Sequence, residues 1–296
     1  MTGSDEALSP AARSLLRAGR GRWWELALFA ALPLAWLLLP RQSLLINEIA
    51  IVALFAVSLD LILGYAGIVS LGHAAFFGFG AYAAAIFAKD TLADPLVGLA
   101  VAIGASALLG AATSLLILRG TDLTRLMVTL GVASVLYELA NKLDTLTGGA
   151  DGLRGVVMGP LVTPFGISLQ ALRDNRLRAA SIGLAVRRRL VAVYTIAAAV
   201  AGAAGALLAQ TSGFASLDVF DFHRSAEVLL VLVIGGTGYL YGGVFGAVVF
   251  KLLHDLVSAW TPQYWNFWLG LFLVVLVLVG RERFVRPWTW FRRGRR

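Results

Sequence analysis

Apolar runs of membrane length recur along this chain, joined by arginine-rich or glycine-rich segments. Trp23–Leu39, Leu44–Leu63, Pro95–Leu118 and Phe267–Gly280 carry few or no ionisable side chains. A helix needs about 20 mostly apolar residues to cross the hydrocarbon core of a bilayer. In a chain of 296 residues, several such runs leave no room for a soluble core. Charged residues make up 14% of the sequence, against about 25% in soluble domains. The expected fold class is therefore all-α: a polytopic transmembrane helical bundle of about 8–9 spans, some interrupted at glycine.

The net charge of +8 could suggest nucleic acid, but its placement points elsewhere. Arg13, Arg17, Arg20 and Arg22 precede the first apolar run, and seven arginines from Arg281 to Arg296 follow the last. That is the positive-inside pattern of cytoplasmic ends in a multi-pass membrane protein. Lipid, not nucleic acid, is the expected surface partner. With no cysteine there is no disulfide framework or thiolate chemistry. His73, His223 and His254 are scattered, so no metal site is expected. The first run lacks a small-residue cleavage site and reads as an uncleaved span.

Three regions follow: a basic cytoplasmic tail, 1–22; a membrane domain, 23–280; and a basic cytoplasmic tail, 281–296. The expected apolar segments are 23–39, 44–63, 68–87, 95–118, 126–140, 190–212, two pieces of 226–255 divided at Gly235–Gly243, and 265–280. Counting inward from both cytoplasmic ends leaves one crossing unaccounted for. The first five segments put 141–171 outside, whereas the last four put the arginine block 173–189 inside. Burying those arginines at mid-bilayer would cost about 2.5–3.5 kcal/mol each. Either 126–140 does not cross, or the chain lacks a span.

Residues 171–184 read as a short helix closed by Gly183, with Asp174 and Asn175 suited to its N-terminus. Leu172, Ala179 and Ile182 could form one apolar face for a partner's groove; the bland alternative is a basic loop lying in anionic headgroups. Asp60 sits near the cytoplasmic end of its span as a hydrated or hydrogen-bonded carboxyl, and Lys251 and Asp255 have the spacing to pair on one helix. His73 reads more readily as a packing histidine than as a substrate contact.

The stretch Gly64-Tyr65-Ala66-Gly67-Ile68-Val69-Ser70-Leu71-Gly72-His73-Ala74-Ala75-Phe76-Phe77-Gly78-Phe79-Gly80 closely resembles the signature of LivM-type inner-membrane permeases of branched-chain amino-acid ABC importers. Arg173-Asp174-Asn175 with Arg178-Ala179 and Gly183 resembles that family's ATPase coupling loop, about 171–189. Gly235-Gly236-Thr237-Gly238 resembles its late glycine-rich segment, and Asp151-Gly152-Leu153 a short external motif. The resemblance implies a translocation pathway and close helix packing at Gly64, Tyr65, Gly67, Ser70, Gly72, His73, Phe77 and Gly78, and at Gly235, Gly236 and Gly238. Relatives carry one more span between Gly155 and Thr163, so the resemblance favours a lost span.

The resemblance implies a permease subunit, not an enzyme. It would translocate branched-chain or other hydrophobic amino acids delivered by a periplasmic binding protein. Its partners would be ABC ATPase subunits, using ATP and Mg, and a sister permease of LivH type or a second copy. The chain has no phosphate-binding loop of its own and needs no bound cofactor. The alternatives are a urea or short-amide importer and, in another class, an ATP-independent channel or secondary transporter.

Overall fold

The computed structural model describes residues 42–90, 94–147, 153–154, 186–238 and 240–260, together with 267, 268, 270–272 and 274. Helix α1 (Ser43–Asp60) runs straight into one wide π-turn, Leu61–Tyr65. A non-helical stretch, 66–73, leads to α2 (Ala74–Asp90). Then come α3 (Pro95–Ile117), α4 (Asp122–Lys142), a one-turn helix Asp144–Thr147 and the two-residue strand β1 (Leu153–Arg154). After residue 185 the described chain continues with α5 (Val186–Ser212), β2 (Phe214–Ala215), a 3-10 turn Leu217–Phe220, α6 (Phe222–Gly235) and α7 (Leu240–Trp260).

Among the described residues, five helices are long and apolar enough to cross a membrane: Leu44–Gly64, Pro95–Ile117, Asp122–Lys142, Arg187–Ser212 and Gly242–Ala259. They coincide with the segments expected at 44–63, 95–118, 126–140, 190–212 and the second piece of 226–255. Two of the expected segments have different bounds. The third segment, 68–87, is helical only from Ala74, so the interruption begun at Gly64 extends through His73. The 126–140 segment belongs to a longer helix of 21 residues. The fold is all-α as expected, with one two-residue antiparallel pairing of β1 and β2, Leu153 opposite Ala215, beside the helices. The run 23–39, both basic tails, the coupling loop and most of 265–280 lie outside the described residues.

The helices have two distinguishable ends. Arg187, Arg188 and Arg189 mark one end of α5 and are exposed. Leu208 lies 19 residues further along, about 28 Å away at 1.5 Å per residue. Helix α3 runs opposite to α5: the Gln210 amide of α5 donates to the carbonyl of Pro95, the first residue of α3, at 3.4 Å. Arg154 therefore sits at the far end, beside β2, whereas the chain resumes at Val186 at the arginine end. Residues 155–185, which connect these two ends in sequence, lie outside the described residues.

Helix α5 packs most extensively against α3, α2 and α1, and small residues make this possible. Ala197, Ala198, Ala201, Ala204, Ala206 and Ala209 are fully buried. A Cβ on Gly202 would meet the Ser106 side chain, and one on Gly205 would meet the Phe77 carbonyl. Without a hydrophobic drive in lipid, such close backbone approach supplies the packing. The buried Ser106 hydroxyl donates to the Phe76 carbonyl at 3.2 Å.

Helix starts follow local chemistry. Asp94 caps α3 by accepting from Leu96 N–H at 2.8 Å, with Pro95 in the first turn. Asp221 caps α6 through His223 N–H at 3.1 Å. Helix α2 begins inside the bundle, and its first amide, Ala74 N–H, donates to Ser225 Oγ of α6 at 2.9 Å. An interrupted backbone at membrane depth is tolerable when protein groups satisfy it in this way.

Candidate functional site

The two glycine-rich interruptions meet. Asp60 closes α1, and its Oδ1 accepts from the backbone N–H of Gly238 at 2.8 Å, in the turn between α6 and α7. The Asp60 carboxyl is buried and hydrogen-bonded, which resolves the two expectations for it in favour of the bonded form. Gly64 lies against this bond: a Cβ there would strike both the Asp60 carboxylate and Gly238 N. On the other side, a Cβ on Gly235 would meet the Gly242 carbonyl. Gly236 and Gly238 turn the chain with φ of 103° and 84°, a region in which L side chains are strained. Gly67 has φ 64°. Gly72 abuts the Thr129 carbonyl of α4, and Gly78 the Phe220 ring. Tyr65 ends the π-turn.

Above this crossing lies an aromatic layer. His73 is fully buried and stacks on Phe55, with ring centroids 5.6 Å apart and planes 6° from parallel. Its Nε2 is 2.9 Å from Ser58 Oγ, while the Ser58 hydroxyl donates to the Phe55 carbonyl at 2.6 Å. A hydroxyl has one proton to give. Nε2 must then be the N–H donor, which leaves Nδ1 a buried acceptor with no hydrogen-bond partner among the described residues. His73 also meets the Phe76 ring edge-on, with centroids 5.7 Å apart. Phe77 packs on Phe55 with centroids 4.5 Å apart. Ser70 is buried next to the Tyr194 hydroxyl, although the two do not reach hydrogen-bond geometry.

Beyond Phe55 and Phe77 opens a cavity of about 440 Å³, bounded by α1, α2, α5, the 3-10 turn, α6 and α7. Ile51, Leu208, Val228 and Phe250 continue its apolar wall. Its other side carries Glu48, Asp218, Asp221, Arg224, Glu227 and Lys251. Lys251 donates to Glu48 at 2.7 Å, across α7 and α1, so the expected pairing of Lys251 with Asp255 is not the one formed. Asp255 instead lies 3.5 Å from His254. Arg224 donates to Glu227 one helical turn on, at 3.1 Å. This cavity is at the end of the bundle remote from Arg187–Arg189. Its Glu48 end lies 12 residues before Asp60 along α1, about 18 Å away.

Sequence reasoning passed over Asp218, Asp221 and Arg224. A signal was available in Asp218-Val219-Phe220-Asp221-Phe222-His223-Arg224, where charged and apolar residues interleave just before an apolar helix. Within this stretch Val219 and Phe220 are buried, while Asp218 and Asp221 are exposed. The coupling-loop residues Arg173, Asp174, Asn175, Arg178, Ala179 and Gly183 lie outside the described residues.

Comparison with known proteins adds a family. The branched-chain amino acid transport system / permease component family matches residues 43–161 and 155–280. The high-affinity branched-chain amino acid transport system permease protein LivM of Salmonella typhimurium is 28% identical over 294 residues, covering 80% of this chain and 68% of that protein. LivM of Escherichia coli is 35% identical over 126 residues, 43% of this chain but only 29% of the relative's length. The autoinducer 2 import system permease protein LsrC of Klebsiella pneumoniae is 34% identical over 41% of this chain and 38% of that protein. The fructose import permease protein FruG of Bifidobacterium longum is 28% identical over 49% of this chain and 45% of its own length. No solved structure matches.

Proposed function

Because this chain belongs to the family of branched-chain amino acid transport permease components, we propose that it is the membrane-spanning subunit of an ATP-driven importer for branched-chain or other hydrophobic amino acids. A binding protein on the far side delivers the solute, and separate ATPase chains supply the work. The chain is a transport subunit rather than an enzyme. The observation that carries the reading is the family match across residues 43–280, within which two glycine-interrupted segments meet at one bond, Asp60 to Gly238. Paired interrupted segments are a recurrent device for lining a path through a bilayer.

In this reading the arginine end faces the cytoplasm, and Arg173 and Arg178 dock on the ATPase. The two pieces of the family match meet at 155–161, where the charge count leaves a crossing unaccounted for. Reconstitution with its ATPase and a sister permease should give leucine uptake that requires ATP. Uptake by this chain alone, without nucleotide, would sink the proposal. Reversing charge at Arg173 and Arg178 should abolish ATPase co-purification. The similarity to LsrC and FruG favours one second reading, a non-amino-acid solute, in which case leucine would fail to compete for uptake.

A further inference from the structure

The charged cavity has an unusual lining for a neutral solute. It presents four carboxylates, Glu48, Asp218, Asp221 and Glu227, against two fixed cations, Arg224 and Lys251. Two of these acids already have cation partners: Glu48 with Lys251, and Glu227 with Arg224. Asp218 and Asp221 have no cation within ion-pair distance among the described residues. Asp221 uses Oδ1 to cap α6, and Asp218 Oδ2 accepts weakly from Ser216 Oγ at 3.4 Å. Each keeps a second oxygen available.

Arg224 is equally under-used. Its guanidinium offers five N–H donors in a planar fork, yet its bonds among the described residues amount to a single donation, from Nη1 to Glu227. Arginine suits bidentate capture of a carboxylate. The opposite wall is aliphatic and aromatic: Ile51, Phe55, Leu208, Val228 and Phe250. The volume, about 440 Å³, is in the range of small-ligand cavities.

We propose that this cavity is a zwitterion site. It holds a hydrophobic α-amino acid with its ammonium on Asp218 and Asp221, its carboxylate on Arg224, and its side chain on the apolar wall. The assignment rests on the amino-acid permease reading and adds to it the residues that recognise the cargo. It also places the site at the end of the bundle opposite Arg187–Arg189, where solute would arrive from outside. A sugar or other polyol has no ionised group to match such a lining.

The test uses the complete transporter with its ATPase in lipid nanodiscs or proteoliposomes, and radiolabelled L-leucine as the probe. Leucine methyl ester lacks the carboxylate, and 4-methylpentanoate lacks the ammonium. Both should compete with leucine at least about tenfold more weakly than leucine itself. In Arg224→Gln the penalty for the methyl ester should vanish while that for 4-methylpentanoate remains. In the double variant Asp218→Asn, Asp221→Asn the pattern should invert. Arg224→Lys, which keeps the charge but not the fork, should retain part of the discrimination and show that the site is still folded.

The assignment is overturned if Arg224→Gln discriminates between leucine and its ester as the unaltered protein does. ATP-driven leucine uptake with an unchanged KM in that variant would refute the cavity site alone and leave the importer reading standing. Absence of any ATP-driven leucine uptake in the unaltered complex would refute both.

Discussion

At one end of the bundle, helices meet through bare backbone; at the other, they are held apart around ionised side chains. Gly64, Gly235 and Gly242 leave no space for an added atom. Glu48, Asp218, Arg224 and Lys251 surround an open volume. The two ends should therefore respond to opposite kinds of change. The glycine crossing is intolerant of bulk and depends on one acid as an acceptor. The charged cavity is tolerant of bulk and depends on the sign and placement of charge.

The sharpest way to break this contrast is Gly235→Val. The new side chain would meet the Gly242 carbonyl, and backbone cannot retreat as a flexible side chain can. A loss of about 3 kcal/mol or more is expected, read as collapse of the monodisperse fraction on size exclusion in detergent. Next is Asp60→Ala, which strands the buried Gly238 N–H at a cost of about 1–3 kcal/mol. Asp60→Asn keeps an acceptor oxygen and should recover most of that, as measured by thermal unfolding. If Asn is as damaging as Ala, the crossing needs charge as well as an acceptor, and the contrast fails.

At the cavity, Lys251→Met and Glu48→Gln should show a coupling of no more than about 1 kcal/mol in a double-mutant cycle, because the pair is partly solvated. The smallest effect belongs to Asp122→Asn. Its partner Arg125 lies 2.7 Å away, but the Asp122 side chain is 84% exposed. A change within about 0.5 kcal/mol is expected from the same thermal assay.

The long helices were legible because a bilayer imposes a length and an apolar composition on anything that spans it. That constraint placed α1, α3, α4 and α5 within a few residues. The break between α6 and α7 was legible from Gly235–Gly243, since only glycine accepts the φ values at Gly236 and Gly238. What could not be read was partnership across the chain. Asp60 and Gly238 are 178 positions apart, and no local pattern links them. Lys251 and Asp255 satisfied a local spacing rule, yet α1 brings Glu48 closer. The late start of α2 had the same origin: residues 68–73 are apolar enough for a helix, but Gly72 abuts the Thr129 carbonyl of α4 and the His73 side chain reaches Ser58 of α1. The charged cavity went unread because its residues come from six elements and converge only in three dimensions.

The wide turn at Leu61–Tyr65 has one consequence for everything after it. A π-turn holds one residue more per loop than an α-helix. By its end, the chain points roughly 100° behind where regular winding would aim it. The route from Ala66 through His73 to α2 inherits that angular offset. A mutation that merely rewound this turn would misdirect the following segment without altering any residue in contact with a neighbour.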